Sequence, residues 1–447
     1  MEFLASITFW QWALVLISGL ALLLISPRVR TPEAFFKATR PSQPTGLWLL
    51  TSSLVISWIF AKSITNAANL GLKYGIVGGV AYATYYLSFL WAGLVIYRLR
   101  VLGRFGSIHH FLKERFGRSA LVLFSLLIAF RLFNEVWSNT MVIGSYFGES
   151  GSGPYYLAIL VFTGLTLAYA LKGGLRSSLL TDAIQMVLFG VLLFTILGIL
   201  LPQSEGAGSL LSSGSWTLGG GVDLLLVALI QAFSYPFHDP VMTDRGFITD
   251  ARTMRKAFLW AVPIGFVCIV LFSLIGVYAA QAGLAGQATV QVAQTLGAGM
   301  TLLINFIMIT SASSTLDSSF ASFSKLAVLD LKLTPPTVSA GRWMMVLVTV
   351  LGTLPVFFGP EILSATTVSG TMVIGLAPIF LFWRRSVPPA TFVATVGTGM
   401  LFGIVYAIGW PAGWDLFGTG YGSLLTVNLL GTAACFAVFG IMAMFKK

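Results

Sequence analysis

The sequence predicts an all-α integral membrane protein with 13 transmembrane helices, ten of them in two inverted five-helix repeats. Hydrophobic residues make up 57% of the 447-residue chain and charged residues only 9%, whereas about a quarter of the residues in a soluble protein are charged. Thirteen apolar stretches are each long enough to cross the roughly 30 Å of hydrocarbon in a bilayer. Two of these stretches, five apart, are interrupted in their middle.

The apolar stretches divide the chain, which we treat as a single transmembrane domain over 1–447. They cover about residues 7–27, 46–71, 75–99, 119–147, 154–172, 178–202, 218–243, 256–283, 293–329, 338–359, 362–384, 387–409 and 422–445. The first is an extra helix, repeat one runs over 46–202, repeat two over 218–384, and accessory helices over 387–445. The ten helices of the two repeats are called core helices 1 to 10.

The positive charges are segregated between alternate loops. A net charge of +11 would suit a nucleic-acid-binding protein, but with the N-terminus outside, all but three of the 26 Lys and Arg residues lie in or beside inside loops. The exceptions are Lys62, Lys73 and Arg131. The positive-inside rule then predicts an inner-membrane protein with a cytoplasmic C-terminus, whose surface partner is the lipid bilayer and not nucleic acid. The two cysteines, Cys268 and Cys435, lie in apolar runs and predict neither a disulfide nor a metal site.

Two spans are broken by residues that do not suit a lipid-facing helix. Core helix 1 contains the polar stretch AKSITNAANLG at 61–71, and core helix 6 contains SYPFHDP at 234–240. Proline lacks a backbone donor, and such breaks persist in a membrane only where they line a cavity. Because an offset of five reverses the orientation, the two segments run antiparallel. Paired broken helices of this kind indicate a transport site near the middle of the bilayer.

Six ionisable residues lie within the spans, where burying a charge costs about 3 kcal/mol. They are Lys62, Arg131, Glu135, Asp182, Asp239 and Asp317. The i, i+4 spacing of Arg131 and Glu135 predicts a buried ion pair, with direct substrate contact as the alternative. An ammonium at Lys62 would repel sodium unless it is paired with a carboxylate such as Asp317 or Asp182, or unless burial lowers its pKa.

The three aspartates each allow two readings. Asp182 either caps the start of core helix 5 or binds a cation. Asp239, beside His238, either caps a half-helix or binds and gates a substrate. Asp317 lies in SASSTLDSSFAS, where hydroxyls share one face of core helix 8; these oxygens suit a hard cation such as sodium, or they allow close helix packing. The hydroxyl residues on that face are Ser311, Ser314, Thr315 and Ser318.

Three segments resemble the sodium/solute symporter family, which includes sodium–glucose, proline, sialic acid and urea symporters. They are LKERFGRSALVLF (112–124), LKGGLRSSLLTDAIQ (171–185) and SSTLDSS (313–319). The resemblance implies a LeuT-like fold with broken core helices 1 and 6. It also implies a secondary active transporter, not an enzyme, that carries a solute into the cell with sodium by alternating access. The stretch AKSITNAANLGLKYGIVG is most similar to the urea-transporting branch, which makes urea a candidate solute.

The resemblance also implies a set of sodium ligands, with Na⁺ as the coupling ion and no other cofactor. One sodium would lie between core helices 1 and 8, held by the carbonyls of Ala61, Ile64 and Ser311 and the hydroxyls of Ser314 and Thr315. Some members bind a second sodium, for which the matching positions are Asp182, Asp317 and Ser318. Lys62 departs from the family pattern, so a proton-coupled or ion-independent carrier, with Lys62 replacing sodium, remains the alternative.

The remaining polar residues near the two breaks are candidate substrate contacts for a small polar solute. They are Ser63, Asn66, Asn69, Tyr85, Tyr86, Asn134, Trp137, Gln231, Tyr235, His238 and Thr366. Coupling or gating is assigned to Lys62, Asp239, Arg131 and Glu135. A membrane solute sensor is the alternative class, disfavoured by the absence of a soluble output domain after the last span. We expect no obligatory protein partner, and the sequence has no HExxH or GxSxG motif of an enzyme.

Overall fold

The computed structural model describes residues 6–38, 45–359, 368–409 and 413–445. The described residues form helices and contain no strand, which confirms the predicted all-α class. Among them, nine helices are long and apolar enough to cross a membrane, or ten if the bent pair Leu47–Ile56 and Ala61–Tyr74 is one span. The chain is therefore a multi-pass membrane protein.

The helices of the first half follow the predicted spans, except that the helix containing core helix 3 begins earlier, at Ile108, and is interrupted at Gly117. The extra helix is Ile7–Ile25, and core helix 1 consists of Leu47–Ile56 and Ala61–Tyr74. Core helix 2 consists of Ile76–Ala83, the 3₁₀ turn Thr84–Leu87 and Ser88–Val101. Core helix 3 is Ile108–Gly144, and core helices 4 and 5 are both contained in Gly153–Leu200. Short helices connect these elements at Pro32–Lys37, Leu201–Gln203, Ala207–Leu211 and Leu218–Gly220.

The second half contains the other broken helix. Core helix 6 consists of Val222–Gln231, the 3₁₀ turn Tyr235–His238 and Pro240–Arg245, and core helix 7 is Ala251–Gln281. Core helix 8 is Ala298–Lys325 with the π-helical turn Leu326–Asp330, and core helix 9 is Val338–Thr353 with the 3₁₀ turn Leu354–Phe358. Core helix 10 includes 368–372 and Leu376–Leu381, and the accessory helices are Ala390–Ala407 and Gly422–Met442. The helix Ala288–Thr295 connects core helices 7 and 8.

Core helices 4 and 5 are separated at Gly174. A straight helix of the 48 residues Gly153–Leu200 would be about 72 Å long, more than twice the hydrocarbon thickness. Gly174 interrupts it with φ 56° and ψ −141°, and a Cβ atom there would lie 2.4 Å from the carbonyl oxygen of Phe35. Asp182 is then about two turns inside core helix 5, so the alternative in which it caps that helix is wrong.

The predicted total of 13 helices remains a prediction. By length and hydropathy, Gly153–Leu200 counts as one membrane span although it contains core helices 4 and 5. Core helix 6 is not counted as a span, because its segments are too short. Part of the predicted span 362–384 lies outside the described residues.

The break in core helix 1 lies upstream of its predicted position. The two segments meet at 57–60 with a bend of 59°, and the polar stretch 61–71 is helical. Trp58 and Ile59 both donate their backbone N–H groups to the carbonyl of Val55, which ends the first segment. The polar side chains of 61–71 mislead because they face protein, not lipid; all but Asn69 are buried. The predicted break of core helix 6 at 234–240 is confirmed.

Small residues allow core helices 1 and 7 to pack closely. A Cβ atom on Gly276 would lie 1.7 Å from the carbonyl oxygen of Ala68, and one on Gly71 would lie 2.1 Å from the carbonyl oxygen of Ser273. Within a bilayer, helices associate through van der Waals packing of this kind, because the hydrophobic effect gives no driving force for helix association in hydrocarbon. The second segment of core helix 1 is thus held against core helix 7 by backbone contact.

We expect Gly276→Ala to destabilise the protein by about 1–3 kcal/mol, the usual effect of overpacking, because backbone on both helices has to move. The measurement is the thermal unfolding midpoint of the purified protein in detergent. Gly198→Ala is the matched control, since a Cβ atom there meets nothing within 4 Å. Equal midpoints for the two variants would contradict the close contact.

Candidate functional site

The two broken helices meet at a small aromatic cavity. The cavity has a volume of about 20 Å³ and is lined by Trp58, Phe60, Ser63, Tyr82, Tyr85, Tyr86 and Tyr235. Such a volume has room for about one water molecule in this conformation. Both breaks contribute walls, core helix 1 at 58–60 and core helix 6 at Tyr235.

The aromatic rings of the cavity contact one another, and the hydroxyls of Tyr85 and Tyr86 donate hydrogen bonds. The Trp58 ring lies edge-on to Tyr86 and Tyr235, with centroids 5.5 and 5.9 Å apart. Tyr86 donates to the carbonyl oxygen of Trp58 at 2.7 Å, and Tyr85 donates to Gln231 Oε1 at 2.9 Å. These bonds orient the rings, because each tyrosine is tied at its far end.

A polar edge of the cavity is formed by Tyr82. Its hydroxyl lies 3.3 Å from both Ser63 Oγ and Asn66 Nδ2. This edge offers hydroxyl and amide groups to a solute that enters between the rings.

Four of the predicted substrate contacts line the cavity: Ser63, Tyr85, Tyr86 and Tyr235. The sequence did not predict the other three lining residues: Trp58, Phe60 and Tyr82. Tyr82 has a sequence signal, since it is three and four residues from Tyr85 and Tyr86 and shares their helix face. Trp58 and Phe60 were missed because the break was expected at 61–71.

Other predicted contacts lie behind the lining or away from the cavity. Gln231 reaches the cavity only through Tyr85. Asn69 accepts from the backbone N–H of Ala288 at 2.9 Å. Trp137 donates to Asn134 at 3.1 Å and packs in a separate apolar cluster. His238 Nδ1 lies 2.6 Å from the carbonyl oxygen of Tyr235, and Thr366 lies outside the described residues.

The four predicted coupling residues form one buried charge network. Lys62 Nζ lies 2.8 Å from Glu135 Oε2, and Arg131 Nη1 lies 2.5 Å from Glu135 Oε1. Arg131 Nη2 continues to Asp239 Oδ2 at 3.1 Å. The predicted pair of Arg131 and Glu135 is confirmed. The expected partners of Lys62 were wrong, because Glu135 on core helix 3 faces it more closely than the carboxylates of core helices 5 and 8.

The network is neutral and joins three core helices. Lys62 is the second residue of Ala61–Tyr74, so its charge adds to the positive end of that helix, and Glu135 offsets both. Asp239 caps Pro240–Arg245 by accepting from the N–H groups of Val241 and Met242, as one of its two readings predicted. It also accepts from Trp58 Nε1 at 2.7 Å, which ties the network to the cavity.

The cations of this network lie behind the cavity walls. The Arg131 guanidinium is 4.9 Å from the ring centre of Tyr235 and 5.4 Å from that of Phe60, and Lys62 Nζ is 5.1 Å from the Phe60 ring centre. Cation–π contacts at these distances stabilise the charges further. The aromatic rings thus separate the central cavity from the charged groups.

Core helix 8 contacts the break of core helix 1 where the first sodium was predicted. The hydroxyl of Ser311 donates to the carbonyl oxygen of Ile59, inside the break, and Thr315 donates to the carbonyl oxygen of Ser311 at 3.1 Å. Ala61 and Ile64 are fully buried nearby in sequence, but they belong to the helix after the break. Carbonyl and hydroxyl oxygens are the ligands that hard cations prefer. These ligand assignments remain predictions, and the carbonyl oxygen of Ile59 is a further candidate ligand that the sequence did not suggest.

A second polar cluster surrounds Asp182. Its Oδ1 accepts from Ser314 at 2.5 Å, and its Oδ2 accepts from Ser53 at 2.5 Å and Ser57 at 3.1 Å. The guanidinium of Arg245 lies 2.9 Å from the same Oδ2. The sequence groups Arg245 with the inside loops and the span ends beside them, yet it is fully buried; nothing in its sequence position at the end of core helix 6 indicated this contact.

Asp317 and Ser318, the other residues predicted for a second sodium, adjoin this cluster. Asp317 accepts from Thr181 at 2.9 Å and from Ser318 at 3.3 Å. Within the described residues, no Lys, Arg or His lies within ion-pair distance of Asp317.

A larger cavity opens on the side of the predicted inside loops. It has a volume of about 460 Å³, and its lining includes His109, Asp244, Lys325 and Asp330. Lys325 Nζ lies 2.6 Å from Asp244 Oδ1 and 3.2 Å from Asp330 Oδ2. The ion pair of Lys325 and Asp244 joins core helix 8 to the end of core helix 6 beside this cavity.

Part of the chain is similar in sequence to known proteins. A model of the sodium:solute symporter family matches residues 38–213. Sodium/myo-inositol cotransporter 2 from Mus musculus is 29% identical over 151 residues, which are 31% of this chain and 22% of that protein. The cotransporter of the same name from Homo sapiens is 28% identical over the same shares. The chain therefore matches about a fifth of the length of these curated relatives.

Solved structures match over nearly the whole chain. A Na⁺-coupled sialic acid symporter in a substrate-bound outward-open state has a TM-score of 0.74 over 99% of both chains, at 15% identity. Mhp1, a nucleobase-cation-symport-1 family transporter in a closed conformation, has a TM-score of 0.54 over 92% of this chain and 98% of Mhp1, at 14% identity. At such identities the likeness shows the fold. The resemblance to the sodium:solute symporter family is thereby confirmed, by the family model over residues 38–213 and by a LeuT-like transporter fold over the chain as a whole.

Proposed function

We propose that this protein is a secondary active transporter that carries a small polar solute into the cell together with sodium, by alternating access. The observation that carries the proposal is the position of the core helix 1 break. Its carbonyl at Ile59 meets the hydroxyl face of core helix 8, while its side chains at Trp58 and Phe60 line the central cavity. A cation bound on one side of the break and a solute bound on the other would both order residues 57–60.

Shared ordering of the break explains coupling. If sodium stabilises the break against core helix 8, the solute binds a wall that is already ordered, and each ligand raises the affinity for the other by the same factor. The conformational change would then separate core helices 1, 2, 6 and 7 from core helices 3 and 8. The bonds from Lys62 and Asp239 to core helix 3 cross that boundary.

The cavity suits an uncharged polar solute. Its walls are aromatic faces with hydroxyl groups at one edge, and the nearby charges of Lys62, Arg131, Glu135 and Asp239 neutralise one another. A charged solute would bring a net charge into this low-dielectric centre at a large desolvation cost. The solute in the name of the curated relatives, myo-inositol, is also polar and uncharged, and urea remains a candidate of the same class.

The alternative carrier, in which Lys62 replaces sodium, is disfavoured by the partner of Lys62. Its ammonium is bonded to Glu135 on core helix 3, whereas the oxygen ligands predicted for sodium lie on core helices 1, 5 and 8. We also propose an inner-membrane location with the N-terminus outside, on the segregation of Lys and Arg, and repeats over 46–202 and 218–384 on the two broken helices.

Uptake in proteoliposomes tests sodium coupling. With an inward sodium gradient, we expect accumulation of a labelled neutral solute such as myo-inositol or urea, and none with potassium. Thr315→Val removes one predicted ligand while keeping the shape of the side chain, so the sodium concentration for half-maximal uptake should rise at least about tenfold, or 1.4 kcal/mol.

The matched control for Thr315→Val is Ser319→Ala on the same helix. The Ser319 hydroxyl is buried and has no hydrogen-bond partner among the described residues, so its removal should leave the sodium dependence unchanged. Equal uptake with and without the sodium gradient would refute coupling, and a normal sodium response in Thr315→Val would refute this ligand.

The cavity predicts which aromatic residues affect solute affinity. Tyr82→Phe keeps the ring but removes the hydroxyl that faces Ser63 and Asn66, so KM should rise by about 2–10-fold, the value of one hydrogen bond. Trp137→Phe, outside the cavity, should leave KM within about twofold. Initial uptake rates at saturating sodium measure both, and the reverse order of effects would show that the solute binds elsewhere.

The charge network predicts a compensating pair of substitutions. Glu135→Gln leaves Lys62 and Arg131 facing a single carboxylate, and an uncompensated buried charge should cost about 3–5 kcal/mol in unfolding free energy. Adding Lys62→Met restores neutrality and should recover part of that loss. Thermal unfolding in detergent compares the three proteins; a double variant that is less stable than Glu135→Gln would show that Lys62 is balanced by another group.

A further inference from the structure

The guanidinium of Arg245 lies at the junction of four core helices. Arg245 ends the half-helix Pro240–Arg245 of core helix 6, and none of its side chain is exposed. The groups around it belong to core helices 1, 5 and 8. A buried guanidinium requires this many partners, because each unpaired donor and the unbalanced charge would be costly.

Oxygen atoms surround the guanidinium closely. Nη2 lies 2.9 Å from Asp182 Oδ2, 2.8 Å from Ser318 Oγ and 3.1 Å from Ser57 Oγ. It is also 3.4 Å from Ser178 Oγ, while Nε donates to Ser53 Oγ at 2.6 Å. One carboxylate and several hydroxyls around a single positive group form the kind of oxygen cage that also suits a hard cation.

The guanidinium occupies the position expected for a second sodium. Two of the three residues that the family resemblance implies as ligands of that sodium, Asp182 and Ser318, are bonded to Nη2 of Arg245. A sodium ion bound to Asp182 Oδ2 would face a positive charge at hydrogen-bond distance, and like charges repel strongly in a low-dielectric site. The residues present therefore do not fit a second sodium in this conformation.

We propose that Arg245 is a tethered cation that takes the place of a second sodium at Asp182, so that the protein couples its solute to one sodium only. The proposal rests on the proposed function, since it concerns the stoichiometry of that symport.

Charge balance supports this stoichiometry. The cluster contains two carboxylates, Asp182 and Asp317, and one guanidinium. The guanidinium balances the carboxylate of Asp182, so the charge of Asp182 is already neutralised without a second sodium.

The test is equilibrium binding of ²²Na⁺ to the purified full-length protein in lipid nanodiscs. The wild type should bind one sodium per chain. Arg245→Gln frees Asp182 and the hydroxyls and should bind one sodium more, for a total of two. Arg245→Lys keeps the positive charge and should remain at one, and Arg245→Gln combined with Asp182→Asn should also return to one.

The outcomes distinguish the proposed role of Arg245 from sodium coupling itself. Two sodium ions bound to the wild type, or no gain in folded Arg245→Gln, would overturn the role of Arg245. If the wild type binds none, the proposed sodium coupling fails, and a gain from none to one in Arg245→Gln would still support the tether.

The double variant covers the case in which Arg245→Gln does not fold. It removes both charges together, so the cluster keeps its net charge. A double variant that binds one sodium fewer than the wild type would show that Asp182 binds sodium in the native protein, and the proposal would be wrong.

Discussion

A charge buried in the bilayer is costly unless a partner inside the protein neutralises it, because hydrocarbon offers no solvation. Lys62 and Arg131 are balanced by Glu135 and Asp239, and Arg245 is balanced by Asp182. Apart from Arg131 and Glu135, which share core helix 3, the partners lie on different core helices: helices 1, 3 and 6 in the first centre, and helices 5 and 6 in the second. Ion pairs therefore connect the broken core helices 1 and 6 to the unbroken core helices 3 and 5.

Core helix 6 takes part in both centres through one short segment. Asp239 caps the half-helix Pro240–Arg245 at its beginning, and Arg245 lies at its end. Six residues of helix span about 9 Å, so a rigid displacement of this segment would disturb the central network and the Asp182 cluster together. The break before it, at the cavity residue Tyr235, separates the segment from the helix Val222–Gln231. Coupling between two sites needs an element of this kind, whose position both sites influence.

The sequence predicted the elements whose signals are local. The i, i+4 spacing of Arg131 and Glu135 indicated their pair, and prolines marked the break in core helix 6. The polar residues at 61–71 predict the break of core helix 1 there, because polar side chains do not suit a helix that faces lipid. The structure shows that a helix buried in protein tolerates them. Arg245 and the true partner of Lys62 were missed, since both contacts join residues far apart in the chain.

The sequence by itself determined the membrane class, the approximate positions of the spans, the resemblance to the sodium:solute symporter family and the oxygen-rich face of core helix 8. Each of these depends on composition, or on residues within a few turns of one another. Only the tertiary structure decided which charges neutralise each other, which aromatic residues enclose the cavity and which cation faces Asp182. These depend on distances between helices, and in a charged, buried site a carboxylate takes whichever cation the packing brings within hydrogen-bond range.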